Sequence, residues 1–324
     1  MTQSAQRPTV DVVMCTYNGA KFLRPQLDSI LSQTYPIASV IIQDDCSTDS
    51  TADIIRQYQS RYSNIRFYPN SHNLGFNRNF REAAMRSTAD FVAFSDQDDV
   101  WFPTKIEHQL QAIGEHNICY SWHTRGSDPA RTHIVKPQSS PEALLFGGFA
   151  GHTMLLRGDF VRRPESWIDN IYYDWSLGVN AWFYQQRGIV LVPEPLNWHR
   201  SHEGEAALLQ NRRLFPEGGK HPAWEPYAKG LANYRRLQSK PQWQHFYGII
   251  AERSAGVPAC RKQHRMAMLM LDRSPLALLR LCMATMKLGS RVYPDPDKVH
   301  GMMGTVRSFC YPLIFAYRNS LFDF

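Results

Sequence analysis

What this chain lacks narrows it quickly. No run of 18 apolar residues occurs, so no membrane-spanning helix is expected. The six cysteines, Cys15, Cys46, Cys119, Cys260, Cys282 and Cys310, are scattered, with no CxxC pair among them. That spacing argues against a zinc ribbon and against a disulfide framework, and it fits a reducing cytoplasm. Neither GxGxxG nor GxxxxGKS/T is present, which leaves a Rossmann dinucleotide fingerprint and a P-loop without support. Internal repeats and low-complexity tracts are missing too. Met1 to Thr9 is polar and runs straight into the first apolar segment, so no leader peptide is expected.

What is present is ordinary in bulk and uneven in detail. Hydrophobic residues make up 43% and charged residues 20% of the 324, values usual for a globular protein. The length suits a full catalytic domain plus an extension. Residues 1–215 carry 20 Lys and Arg against 22 Asp and Glu, a net of −2. Residues 216–324 carry 16 against 7, a net of +9. The overall charge of +7 therefore belongs to the last third, where a separate partner surface is expected.

Short apolar runs alternate with helical patterns over the first hundred residues. Val10–Met14, Val40–Ile42, Ile65–Tyr68 and Phe91–Phe94 read as strands. Between them, Leu23, Leu27, Ile30 and Leu31 recur at helical spacing, as do Ile54, Ile55 and Tyr58, and a third helix is expected near Arg78 to Met85. Strand–helix alternation implies a parallel sheet with helices on both faces, whose ligands bind beyond the carboxyl ends of the strands. Residues 120–145 have few apolar runs and three prolines, so a variable surface region is expected there. Thr153–Leu156 and Ile189–Val192 read as further strands. From about residue 216 the pattern turns helical, with Ser274 and Pro275 forming an N-cap and first-turn pair and Gly289 a stop.

Three carboxylates crowd the stretch Ser95-Asp96-Gln97-Asp98-Asp99-Val100-Trp101, directly after a buried-strand pattern. Charge so placed is costly unless a cation or a ligand compensates it, so a divalent-metal site holding a nucleotide diphosphate is expected. The bland alternative is an acidic turn capping the next helix. Asp44-Asp45 also ends a strand in paired charge, either to accept hydrogen bonds from a nucleoside or to brace a loop. Thr16-Tyr17-Asn18-Gly19 would add backbone amides and an aromatic ring, and Asn73 follows the third strand. Arg78 and Arg200 are candidates for phosphate charge. Asp174, between Tyr173 and Trp175, is a candidate general base, or else a helix cap. His202 could ligate metal or touch the diphosphate, and His199 stands three residues before it.

In order and spacing, Thr16-Tyr17-Asn18-Gly19, Gln43-Asp44-Asp45-Cys46-Ser47-Thr48-Asp49, Asn73-Leu74-Gly75 and Ser95 to Trp101 resemble the family 2 glycosyltransferases, most of all the bacterial rhamnosyltransferase-like branch. The resemblance covers about residues 8–205. It implies an α/β fold of GT-A type: a mostly parallel central sheet flanked by helices, here with a C-terminal helical extension. It implies a nucleotide-diphosphate sugar donor, Mg²⁺ or Mn²⁺, and inversion at the anomeric carbon. Carried over, Asp44 binds the nucleoside with Thr16 and Tyr17 beside it, and Asn18 and Asp45 are further candidates for the donor site. Asp98 holds the metal, Asp96 and Asp99 line the donor site, Asp174 is the base, and Arg200 and His202 form an Arg-x-His element near the diphosphate. Asp96 and His202 are further candidate metal ligands. The chain departs from the family pattern at Cys46, where Gly is usual, at Tyr173, where His is frequent, and at Glu205, where Asn is common.

The expected protein is thus a metal-dependent hexosyltransferase of bacterial surface polysaccharide or O-antigen assembly. Residues 1–215 would form the transferase domain, with a donor half at about 8–120 and an acceptor half at about 121–215. Residues 216–324 would form a basic helical extension. Its helix carries Leu276, Leu279, Met283 and Met286 on one face and Arg280 and Lys287 on another. Such a helix either meets an anionic membrane at the inner face of the cell, near a lipid-linked saccharide acceptor, or caps the core. A nucleotidyltransferase is the alternative enzyme. A nucleic-acid-binding protein is disfavoured, because the basic residues are not grouped with an aromatic recognition motif.

Overall fold

The computed structural model describes residues 7–138, 140–203, 222, 224–293 and 296–318. Glu205 and the expected boundary at 215/216 lie outside them. Two compact units divide the chain: Met1–Lys136, Ala150–Trp167 and Tyr184–Ser201 form the first, and Pro137–Phe149, Ile168–Phe183 and His202–Phe324 the second.

The first unit is built on one sheet. Its strands are β1 (Val10–Thr16), β2 (Ser39–Asp44), β3 (Ile65–Pro69), β4 (Phe91–Ser95), β5 (Val100–Trp101), β6 (Ile118–Gly126), β7 (His133–Val135), β8 (Met154–Arg157) and β9 (Ile189–Arg200). They run in the order β3-β2-β1-β4-β8-β6-β9-β5, with β7 beside β6. The four strands β3, β2, β1 and β4 pair in parallel, while β8 enters antiparallel to both β4 and β6. β4 and β5 stand far apart in that order, yet only residues 96–99 join them. Four residues span too little distance to cross a flat sheet, so the sheet curls until the two strand ends meet.

Burial explains the strand choice. Every residue of β2 and β4 is buried, and six of the seven in β1, as expected when helices cover both faces of parallel strands. One face packs Val12, Met14 and Ile42 against Leu23, Leu27 and Ile30 of α1 (Leu23–Leu31) and Ile54, Ile55 and Tyr58 of α2 (Thr51–Gln59). On the other, Phe80 of α3 (Phe76–Met85) meets Phe94, their ring centroids 5.4 Å apart. Burying each such side chain stabilises by about 1.5–3 kcal/mol.

Two expectations need correction. The segment read as a variable surface, 120–145, begins inside β6, whose first four residues, Ile118 to Ser121, are buried between β8 and β9. Its second half looks polar in sequence because partners on both sides, rather than apolar residues, satisfy it. β9 also runs on through Pro193 and Pro195 instead of stopping before them. Register shifts opposite Trp122 absorb the missing donors, as proline in a sheet requires.

The second unit is helical. Ser274 caps the Pro275–Lys287 helix by accepting from the Ala277 amide, as its sequence suggested. Trp175 in the Tyr173–Asn180 helix packs tilted against Phe246, ring centroids 4.5 Å apart, and donates to the Leu144 carbonyl (2.5 Å). Tyr247, next to Phe246 in the Pro241–Ser254 helix, donates to the Leu145 carbonyl (2.6 Å). Gly148 lets the backbone pass Trp175, since an added Cβ would sit 2.8 Å from its Cα.

Candidate functional site

The carboxyl ends of β1, β2 and β4 bring three expected loops together. Asp44 is 3% exposed; its Oδ1 accepts from the hydroxyls of Thr16 (2.7 Å) and Ser47 (2.5 Å), and its Oδ2 from the Ser47 amide (2.9 Å). A carboxylate has about four acceptor sites, so Oδ2 retains room for one more donor. Asn18, at φ 49°, accepts from the Thr48 amide and donates its own amide to Ser47. Tyr17 is 53% exposed beside them. Gln97 then clamps this loop to the acidic one: its Oε1 accepts from the Tyr17 amide (2.9 Å) and its Nε2 donates to the Tyr17 carbonyl (3.0 Å). A Cβ at position 19 would lie 2.1 Å from Gln97 Oε1, so a larger residue there would displace the Gln97 amide from its clamp.

Asp45 faces the third loop. Its carboxylate accepts from Asn70 Nδ2 (2.9 Å) and from the amides of Leu74 (2.7 Å) and Gly75 (2.9 Å), while Asn73 donates to the Asp45 carbonyl. This is the loop-bracing arrangement. Arg78 is exposed in the first turn of α3. Cys46, where the family pattern has Gly, takes φ 65°, a conformation that explains the usual glycine.

The acidic loop divides its charges. Asp96 and Asp98 are half-buried, whereas Asp99 is 0% exposed. Pairing fixes what Asp99 meets: β5 joins Val100 to Trp198 of β9, which places His199 beside Asp99. His199 Nδ1 lies 3.0 Å from Asp99 Oδ1, and His152 Nδ1, from the turn before β8, lies 3.0 Å from Oδ2. The two imidazoles stack with centroids 4.9 Å apart. His123 of β6 sits edge-on to both, at 4.9 Å from His152 and 5.8 Å from His199. Asn197 Nδ2 is within 2.9 Å of His152 Nδ1. Among the described residues, His123 Nδ1 and Asn197 Oδ1 are buried with no hydrogen-bond partner.

Burial dominates the electrostatics here. It pushes Asp99 above the usual carboxylate range, with the hydrogen bond from His199 opposing. It pushes His123 down to about 3 and His152 well below its ordinary value, so both rings are neutral at pH 7. Lys105, the first residue of α4 (Lys105–Ile113), is also fully buried; its Nζ donates to the His152 carbonyl (3.1 Å). Burial lowers its pKa to about 7, against the pull of Asp99.

Two donor sets could therefore hold a metal. Asp96 and Asp98 offer hard oxygens at the loop, which fit Mg²⁺ or Mn²⁺ equally. Asp99, His152 and His199 offer ligand atoms all within 4.8 Å of one another. Two imidazole nitrogens and a carboxylate suit a softer ion than Mg²⁺. Arg200 joins the acidic loop through its Nε, which donates to the Asp98 carbonyl (3.1 Å), and its guanidinium lies over Trp198 (4.4 Å) and Phe22 (4.9 Å).

Asp174 and His202 belong to the second unit. Asp174 is half-buried between buried Tyr173 and Trp175; it is the second residue of its helix, and Tyr172 holds the cap position. The cap reading of Asp174 is thereby corrected.

Sequence reasoning gave no role to Gln97, Lys105, His123, His152 or Asn197. No local signal marks them, because their partners come from five separate segments.

Known proteins bear on this geometry. The family described as glycosyl transferase family 2 matches residues 11–162. An uncharacterized glycosyltransferase of Rickettsia typhi is 30% identical over 265 residues, 78% of this chain and 81% of that protein. The chain belongs to glycosyl transferase family 2. Within the family, the dTDP-rhamnosyl transferase RfbG of Shigella flexneri is 34% identical over 147 residues, 43% of this chain and 50% of RfbG. The chain spans about half the length of several curated relatives it matches. Among solved structures, the mannosyltransferase PcManGT of Pyrobaculum calidifontis, in complex with GDP-Man and Mn²⁺, superposes with a TM-score of 0.55 at 18% identity, covering 98% of this chain and 88% of that one. The fold is the GT-A type expected of the family.

Proposed function

We propose that this family 2 glycosyltransferase is metal-dependent and inverting, and moves a sugar from a nucleoside-diphosphate donor to an acceptor hydroxyl. The observation that carries the reading is the joining of three strand-end loops through Asp44, Gln97 and Arg200 at one edge of the sheet. Tyr17 offers an exposed ring to a base, and Asp44 a carboxylate oxygen to the nucleoside. Arg200 supplies positive charge beside the Asp98 carbonyl. Asp98, with Asp96, would hold the metal, which as a Lewis acid offsets charge on the departing diphosphate. Asp174 takes the proton from the acceptor hydroxyl; the freed oxygen bonds to the anomeric carbon as the bond from that carbon to the diphosphate oxygen breaks. Rhamnose is the proposed sugar, supported by the likeness to RfbG, and surface polysaccharide or O-antigen the proposed product, with a free or lipid-linked saccharide as acceptor.

The test is donor turnover with and without Mn²⁺. Asp98→Ala should lower it by about two orders of magnitude or more, with unchanged thermal stability. Turnover like that of the parent would remove the assignment. Asp174→Asn should still bind donor but not transfer; loss of donor binding instead would mark a structural residue. Release of inorganic diphosphate rather than a nucleoside diphosphate would point to a nucleotidyltransferase.

The Asp99, His152 and His199 atoms favour a second reading of the metal, bound in the buried set. His152→Gln decides between them. It should weaken Mn²⁺ about 10–100-fold if the buried set binds the ion, and leave it unchanged if Asp98 does.

A further inference from the structure

The helical unit carries a surface that the proposed transfer leaves unused. In the Pro275–Lys287 helix, Ala277, Leu281, Cys282 and Thr285 face inward. The opposite side presents Leu276, Leu279, Met283 and Met286, exposed at 52%, 46%, 40% and 38%. Their spacing of three, four and three residues sets them in one stripe. Arg280 and Lys287 lie on the same helix and Arg273 just before its Ser274 cap, all exposed. The Gly301–Phe309 helix packs against this one and adds Met302 at 82%, Met303 at 56% and Val306 at 42% exposure. Seven large apolar side chains on two adjoining helices exceed the scatter of a monomer surface and mark a contact site.

A cleft of about 320 Å³ opens next to the stripe, between the Pro275–Lys287 and Glu225–Gln238 helices. Leu231, Leu278, Leu279 and Phe309 wall it, and Arg235 and Arg273 also line it. Tyr234 lines it as well; the residue is 1% exposed, and its hydroxyl has no hydrogen-bond partner among the described residues. Apolar walls, two guanidinium groups and an unsatisfied hydroxyl complement an amphiphile with an acyl chain and an anionic head.

We propose that this face docks on an anionic lipid bilayer, with the acyl chain of one lipid in the cleft and its phosphate on Arg235 and Arg273. Charge selects this occupant. The segment 216–324 carries a net of +9, which repels a second copy of itself and is drawn to anionic headgroups. Among the described residues no helix is long and apolar enough to cross a membrane, so the contact is one of lying on the surface.

Flotation of the full chain with vesicles tests this, and it needs neither donor nor metal, so its outcome is independent of the proposed transfer. The chain should float with phosphatidylcholine vesicles containing phosphatidylglycerol, less so as salt rises, and not with phosphatidylcholine alone. Removing the charges with Arg273→Gln, Arg280→Gln and Lys287→Gln together should weaken partitioning about 100-fold, and Arg235→Gln alone about fivefold. Replacing Leu276, Leu279, Met283 and Met286 by Ser should abolish it at every salt concentration. Because all the substituted residues are exposed, far-ultraviolet circular dichroism should match the parent. Absence of flotation, equal flotation with both vesicle types, or parental binding by the four-serine variant would each overturn the proposal. A soluble acidic protein as the true partner would appear as the first of these.

Discussion

At the end of β2, Asp44 and Asp45 commit their oxygens to hydroxyls, amides and an asparagine from neighbouring loops. At the end of β4, Asp99 turns instead to two imidazoles, one from β9 and one from the turn before β8. Both ends look alike in sequence: an apolar strand closed by adjacent acids. The first is held by neutral donors whose charge never changes. The second is held by two imidazoles as well as the Asn197 amide (3.2 Å), and burial keeps the His152 ring neutral, so its strength depends on pH and on any ion it admits. Acidic strand ends are thus one sequence signature with two physical solutions, and what packs around them selects between the two.

The contrast can be broken at its strongest point first. Asp99→Ala leaves the buried His152 ring and the half-buried His199 ring without their acceptor and Lys105 without its counter-charge. It should cost about 3–5 kcal/mol in urea unfolding. A loss below 1 kcal/mol would show that the cluster does not depend on its carboxylate.

Asp45→Ala should cost less, about 2–3 kcal/mol, because it orphans the Leu74 and Gly75 amides, which can turn to water. It should also raise hydrogen exchange in residues 70–75. Parental exchange there would mean that Asn73 alone fixes the loop.

The titratable character is read from stability against pH in the presence of a chelator. His123 has a folded pKa of about 3 against an ordinary 6.5, so the unfolded chain binds more protons between those values. Its contribution is therefore neutral above pH 6.5 and is lost as pH falls toward 3, by at most about 1.4 kcal/mol per unit. His123→Gln should flatten that acid limb, by about 1–2 kcal/mol at pH 5. The raised pKa of Asp99 works in the opposite sense but is common to both proteins. Superimposable acid limbs would refute a buried neutral ring at this position.

The smallest effect belongs to Cys46→Gly. Relieving φ 65° should stabilise by up to about 1 kcal/mol, an unchanged or lower melting temperature being the contrary result.

Much of the first unit was legible residue by residue. β1, β2 and β4 are apolar runs because parallel strands are covered on both faces, and Asp44, Asp45 and Asp96 to Asp99 follow them at the edge where such sheets take ligands. The Ser274 cap was equally plain. β6 was not, since Trp122, His123, Thr124 and Arg125 read as a polar loop until β9 and β7 pair with them. Nor was the length of β9, whose prolines signal an end that the register shifts avoid. The stripe on the Pro275–Lys287 helix was visible as a pattern; which way it faced was not, because a 3.6-residue period marks one apolar side without saying whether core or solvent receives it.

Local order is what the sequence determined by itself: the strand and helix alternation, the loops that close the strands in acid, and the basic charge of the last third. Those follow from periodicity and from residue types acting over a few positions. Only the tertiary structure decided that Asp99 points inward to His152 and His199 while Asp98 stays at the loop, and that Gln97 locks the first loop to the acidic one. Such choices depend on strands distant in the chain meeting as the sheet curls, and contacts of that range leave no mark in the spacing of neighbouring residues.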